Sequence, residues 1–222
     1  QKHVNRFYLK HYRPNNAILA VVGRFDSSIQ EKLETAFKSW AKGGTVVADL
    51  PSFPDFKGRQ IRLVHKSDLV QSQLRLGFKG IRRDNPDYLK LRLANTILGG
   101  AFASRLNDQI RDNLGLTYSI SSSINAKKSE GAISVSTFTR NKKVSQTLEE
   151  TLKILEEFKN KGVTEKEVEQ AKGLMMGRFP RAIETAERLA FNLLILRFYG
   201  ISDDYLDDFM ENVDDISAAD VN

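Results

Sequence analysis

The sequence predicts an α+β fold, a mainly antiparallel sheet packed on one side by several helices. Three observations carry this. Residues 69–78, 117–125 and 132–139 alternate apolar and polar side chains with the two-residue period of half-buried strands. A short polar turn at Lys127 to Glu130 joins the last two of these, a connection that only antiparallel neighbours use. The helix-period segments gather between and after the strands instead of alternating with them one by one, which argues against a parallel α/β sheet.

Taken in order, residues 1–13 read as the end of a helix entering a turn at Pro14-Asn15-Asn16, because proline disfavours helix at the residue before it. Residues 17–22, AILAVV, are a continuous apolar run of strand length, the pattern of a strand covered on both faces. Asp26 or Ser27 can cap the helix that follows, with Ile29, Leu33, Phe37 and Trp40 as its inward stripe and Gly43-Gly44 as its stop. Residues 44–58, with Pro51 and Pro54, are the linker candidate, dividing a segment 1–43 from a larger unit 59–222. Residues 60–65 and 69–78 then read as two strands. Pro86 opens a helix with Leu89, Leu93 and Ile97 inward.

Residues 98–123 hold the densest pattern. Phe102, Leu106 and Ile110 recur at helical spacing, Asn113 to Gly115 breaks it, and Leu116 to Ser122 alternate as a strand. This puts Arg111 in a last helical turn and Tyr118 two residues into a strand, with the turn folding them together. Beyond the hairpin, residues 144–161 form an amphipathic helix ending at Gly162, and Thr164 to Glu167 has the form of a capping box for the next. Pro180 is expected to kink or end that helix. Residues 186–199 are apolar nearly all round and read as a buried helix. An acidic helix follows from Asp203, then a cap at Ser217.

Composition narrows the chemistry. A chain of 222 residues with 41% apolar content can form one large or two small cored units. With no cysteine, disulfides, thiolate metal sites and cysteine nucleophiles are excluded. His3, His11 and His65 stand in no tight metal-ligand spacing, so unaided zinc chemistry is not expected. No apolar run is long enough to span a bilayer. The net charge is +6, yet the eight acids after Arg197 stand against no Lys or Arg, so the rest of the chain is more basic still. Those basic residues form no block interleaved with aromatics, and no nucleic-acid partner is expected.

On residue types alone, Arg111 is a cation at a helix C-terminus and Tyr118 a half-buried strand aromatic. A resemblance adds a second meaning. Leu98-Gly99-Gly100, Ser104-Arg105-Leu106, Ile110-Arg111, Gly115-Leu116 and Tyr118 resemble the second, non-zinc half of the pitrilysin-type zinc peptidases, the family of insulin-degrading enzyme, mitochondrial processing peptidase and bacterial processing-type homologues. Phe7-Tyr8, Tyr12, Pro14, Asn16 and the run after them resemble the strand motif that closes the family's first half.

The resemblance implies an α+β half-domain of a zinc endopeptidase in which Arg111 and Tyr118 reach a catalytic centre built by the other half. It implies zinc in an upstream half or a partner subunit and none here, a peptide substrate, and pairing with a zinc-bearing half or subunit as a homo- or heterodimer. Residues 1–43 become the closing strand and helix of the preceding half, and residues 59–222 a half lacking its own last strand. The run 17–22 can fill that place, giving one compact, pseudo-permuted domain over 1–222. The alternative is a structural, non-catalytic relative such as the core subunits of a respiratory complex.

Overall fold

The computed structural model of the chain describes residues 1–44 and 56–222. In chain order the helices are α1 (Lys2–His11), α2 (Ile29–Phe37), α3 (Tyr88–Asn95), α4 (Val144–Lys161), α5 (Glu165–Ile183), α6 (Ala186–Tyr199), α7 (Phe209–Asp214) and α8 (Ala218–Val221). The strands are β1 (Gln71–Lys79), β2 (Ile120–Asn125) and β3 (Ala132–Arg140). The chain divides into two units, Gln1–Pro51 with Phe179–Asp207, and Ser52–Arg178 with Asp208–Asn222.

The sheet belongs to the second unit. Its strands lie in the order β1-β3-β2 and both pairings are antiparallel, so the α+β expectation and the hairpin hold. Central β3 sets Val135, fully buried, opposite Leu76 on one side and Ser122 on the other. In β1 the predicted alternation is kept from Gln71 to Leu76, the odd positions exposed and the even ones half-buried.

The core of this unit joins the sheet to its helices through Leu98, Leu106, Ile110, Leu116, Ile120, Val135 and Ile154. Burying one Leu or Ile fully contributes about 1.5–3 kcal/mol. On α4 the core-facing Thr147 and Thr151 are fully buried, and each hydroxyl donates to the carbonyl four residues back, so no polar group is orphaned. The capping box is present at the start of α5, where Glu167 accepts from the Thr164 backbone N–H at 2.8 Å. The same carboxylate takes a forked hydrogen bond from Arg105, 2.6 and 2.8 Å, while Arg105 also donates to the Gly162 carbonyl. Ser217 caps α8 in a second box with Asp220.

The first unit is more thinly cored. Asn15 makes a two-way hydrogen bond with the Gly43 backbone, and Thr185 caps α6 by accepting from the Arg188 N–H. Ile29 and Leu33 of α2 are only half-buried and Phe37 is 47% exposed, so the expected inward stripe covers little. Helix α6 is not the buried helix expected: only Leu196 is buried, and Phe191 and Phe198 are exposed.

Other departures have a shared cause. Residues 17–22 and 60–65 were expected as strands, yet neither joins a ladder, and Leu19, Ile61 and Leu63 are exposed. An apolar run states what a segment can bury; a strand also requires a free edge to pair with, and that is a tertiary matter. Helix α5 runs three residues past Pro180, so the proline removes one backbone donor from the ladder without ending the helix where it stands. The acidic segment from Asp203 breaks into a short 3₁₀ turn and α7. The linker expected over 44–58 lies, for residues 45–55, outside the described residues. No helix among the described residues is long and apolar enough to cross a membrane.

Candidate functional site

Arg111 and Tyr118 both lie in the sheet-bearing unit, on the connection that leads from the helical layer into β2. Leu106 and Ile110, fully buried, hold the helical part of this connection to the core. Residues 107–113 adopt the wider π-helical turn, with Leu114 N–H donating to the Gln109 carbonyl five residues back. The turn closes at Gly115, whose φ of +57° is left-handed, and Leu116 N–H returns to the Ile110 carbonyl at 3.0 Å. Arg111 therefore stands in the last helical turn, as expected.

Tyr118 does not stand in the strand. The ladder starts at Ile120, paired with Thr137, and residues 116–119 form an ordered loop. Its alternation is genuine, but side-chain hydroxyls replace the ladder. Thr139 donates to the Leu116 carbonyl at 2.6 Å, Thr117 to the Phe138 carbonyl at 2.6 Å, and Thr137 to the Ser119 carbonyl at 2.9 Å. The backbone on both sides of Tyr118 is thus fixed, while its ring stays 79% exposed.

The two side chains meet over a third. The guanidinium carbon of Arg111 lies 4.4 Å from the Phe102 ring centroid and 6.0 Å from that of Tyr118. Cation–π attraction orients the guanidinium and leaves its N–H groups free to donate. One of them is engaged by Asp112 at 3.0 Å. Phe102, 69% exposed, corrects its expected place on the helix's buried stripe. It precedes the helix, in a bend pinned where the buried Asn107 amide donates to the Ala101 carbonyl and the Ser104 hydroxyl, each at 3.1 Å. Ser104 as a helix-start residue, with Asn107 three positions on, was the available signal that the helix begins after Phe102. Gly99 is equally structural: a Cβ there would stand 2.7 Å from Leu106 Cδ1 and 2.9 Å from the Ser122 backbone nitrogen.

The arrangement can bind oxygen. The guanidinium of Arg111, near the rings of Phe102 and Tyr118, and the phenol of Tyr118 can each donate a hydrogen bond to an oxygen acceptor. Among the described residues no group of three or more His, Cys, Asp or Glu side chains is placed to hold a metal ion.

Residues 1–175 match the model of the peptidase M16 inactive domain. The chain is 31% identical over 179 residues to the uncharacterized zinc protease YmxG of Bacillus subtilis (strain 168), a match covering 79% of this chain and 42% of that protein. Among solved structures, a peptidase M16 inactive domain from Pseudomonas fluorescens superposes with a TM-score of 0.83 at 26% identity, over 99% of this chain and 52% of that one. A protease from Helicobacter pylori gives 0.88 at 22% identity, over 99% and 54%, a likeness of fold. The chain spans about half the length, or less, of the curated relatives it matches.

Proposed function

The chain belongs to the peptidase M16 inactive-domain family, and we propose that it is the substrate-binding and transition-state-stabilising half of a zinc endopeptidase acting on peptides. The observation that supports this most is the juxtaposition of Arg111 with Tyr118, 6.0 Å from guanidinium to ring, on a loop held by three threonine hydroxyls.

When a peptide carbonyl is attacked, its oxygen gains charge, and donors already aimed at that point favour the transition state over the bound substrate. Arg111 supplies permanent charge and Tyr118 one neutral hydrogen bond, neither needing to change protonation. A zinc held by another half or subunit would supply the activated water. This chain's part is to bind and orient the peptide and to hold the carbonyl oxygen. Residues 1–43 then serve as the close of the preceding half, a reading supported by the exposed Phe7 and Tyr8 of α1 and by the exposed Tyr12 in the turn after it.

The test is peptide hydrolysis by the chain joined to, or mixed with, its zinc-bearing half, comparing wild type with Arg111→Ala and Tyr118→Phe. Loss of one such donor is expected to lower kcat by about 10²- to 10³-fold with folding unchanged. An unaltered kcat would reduce the pair to scaffold and turn the reading toward a non-catalytic relative.

A further inference from the structure

Arg105 and Arg111 both stand near a phenylalanine ring, and their donors are used differently. Arg105, with its guanidinium carbon 5.0 Å from the Phe158 centroid, forks onto Glu167 and also reaches the Gly162 carbonyl, so its donors are committed within the fold. Arg111, 4.4 Å from the Phe102 centroid, makes one hydrogen bond among the described residues, from Nη1 to Asp112 Oδ1 at 3.0 Å. A guanidinium carries five N–H donors, so most of those on Arg111 stay open to a ligand.

The two contacts of Arg111 act in different directions. Asp112 is its immediate neighbour, and neighbouring side chains on a helix diverge, so this carboxylate draws the guanidinium sideways round the helix. Half exposed, it holds the charge only weakly. Phe102 comes from the bend before the helix, between Ala101 and Ser104, where the buried Asn107 amide donates to the Ala101 carbonyl and the Ser104 hydroxyl. The ring is exposed but the backbone on both sides of it is anchored. A ring face attracts the cation without occupying any of its N–H groups.

We propose that Phe102 is a positioning residue, holding the Arg111 guanidinium beside Tyr118 against the pull of Asp112 and so keeping its remaining N–H groups available to a peptide carbonyl. The inference rests on the function proposed above for Arg111. In this role Phe102 touches no reacting atom and acts on the rate through Arg111 alone. Asp112 is then the competitor that the ring has to outweigh.

The experiment has two readouts. On the chain by itself, the Arg111 Nε–Hε resonance is expected upfield under the ring current of Phe102, to move toward the position of exposed arginines in Phe102→Leu, and to stay upfield in Phe102→Tyr. In peptide hydrolysis with the zinc-bearing half, Phe102→Leu, a change at an exposed position, is expected to lower kcat by about three- to thirtyfold with KM little changed. Phe102→Tyr is expected to recover most of that loss, and Phe102→Leu is expected to cost less in an Asp112→Asn background. A resonance unmoved by Phe102→Leu overturns the proposal, as does an unchanged kcat in Phe102→Leu while Arg111→Ala lowers it; either leaves the function of Arg111 standing. A raised KM with kcat unchanged would make Phe102 a direct substrate contact and also overturns it. An unaltered kcat in Arg111→Ala removes the proposed function itself, and this inference with it.

Discussion

In the unit that carries the sheet, Leu93, Leu106, Ile110 and Val135 are fully buried, whereas in the other unit Phe7, Tyr8, Tyr12 and Phe37 stay about half exposed and Leu196 alone of the described apolar residues is buried. Both units carry apolar residues on their helices. What separates them is whether another layer lies against the apolar stripe. Arg111, Tyr118 and Phe102 stand on the well-cored side, and a site that must hold two donors in fixed relation requires such support.

The largest test of this contrast is a pair of truncations. Leu106→Ala removes a fully buried side chain from the cluster beneath Arg111 and is expected to destabilise by about 2–5 kcal/mol in denaturant unfolding. Phe7→Ala, at a position 58% exposed, is expected to change stability by no more than about 0.5 kcal/mol. Similar losses from the two would break the distinction between the units.

Gly99→Ala sharpens it from the side of overpacking. The added methyl would meet Leu106 and the Ser122 backbone, so a loss of about 1–3 kcal/mol is expected in thermal unfolding. A neutral effect would mean that the core beneath the site yields easily.

Acid offers a third measure. The hydrogen bond from Arg105 is the chief cause holding the Glu167 carboxyl down, from the usual 4.5 to about 2, aided by those from Thr164. A carboxylate lowered on folding contributes stability that is fully present above its unfolded value and is lost as pH falls from about 4.5 through about 2. With the side chain a quarter exposed, the amount is on the order of 1–2 kcal/mol. Glu167→Gln is expected to flatten the unfolding free energy across that window, and an unchanged slope would remove the Arg105 pair from the account of how α5 is anchored.

The smallest expected effect is at the loop. Thr117→Val keeps the shape but loses the hydroxyl that bonds the Phe138 carbonyl, for about 1 kcal/mol in unfolding. If the loop positions Tyr118, its ring also gains mobility, visible as narrowed aromatic resonances.

Much of the fold was legible in residue order. The hairpin, the capping box at Thr164, the cap at Ser217, the inward Leu106 and Ile110, and Arg111 in a last helical turn all follow from interactions between residues close in sequence, which local pattern records directly. The candidate site was legible as two residues and a spacing, and incomplete. Helical spacing assigns Phe102 to the core, but it counts positions and does not show where a helix starts, and Phe102 is exposed. Alternation alone puts Tyr118 in a strand because it describes side-chain direction, and the hydroxyls of Thr137 and Thr139 on β3 and of Thr117 in the loop give the same direction without a ladder.

By itself, then, the sequence determined which segments can form helices and hairpins, the caps at Thr164 and Ser217, which residue types are available for chemistry, and that cysteine and tight histidine metal motifs are absent. Tertiary structure alone decided that residues 17–22 and 60–65 find no ladder, that α6 lies half open, and that Phe102 and Tyr118 flank Arg111. The reason is physical. Propensity, capping and periodicity are set by neighbours a few residues away, whereas a sheet edge, a covered helix face or a convergence of charges exists only once distant segments have met.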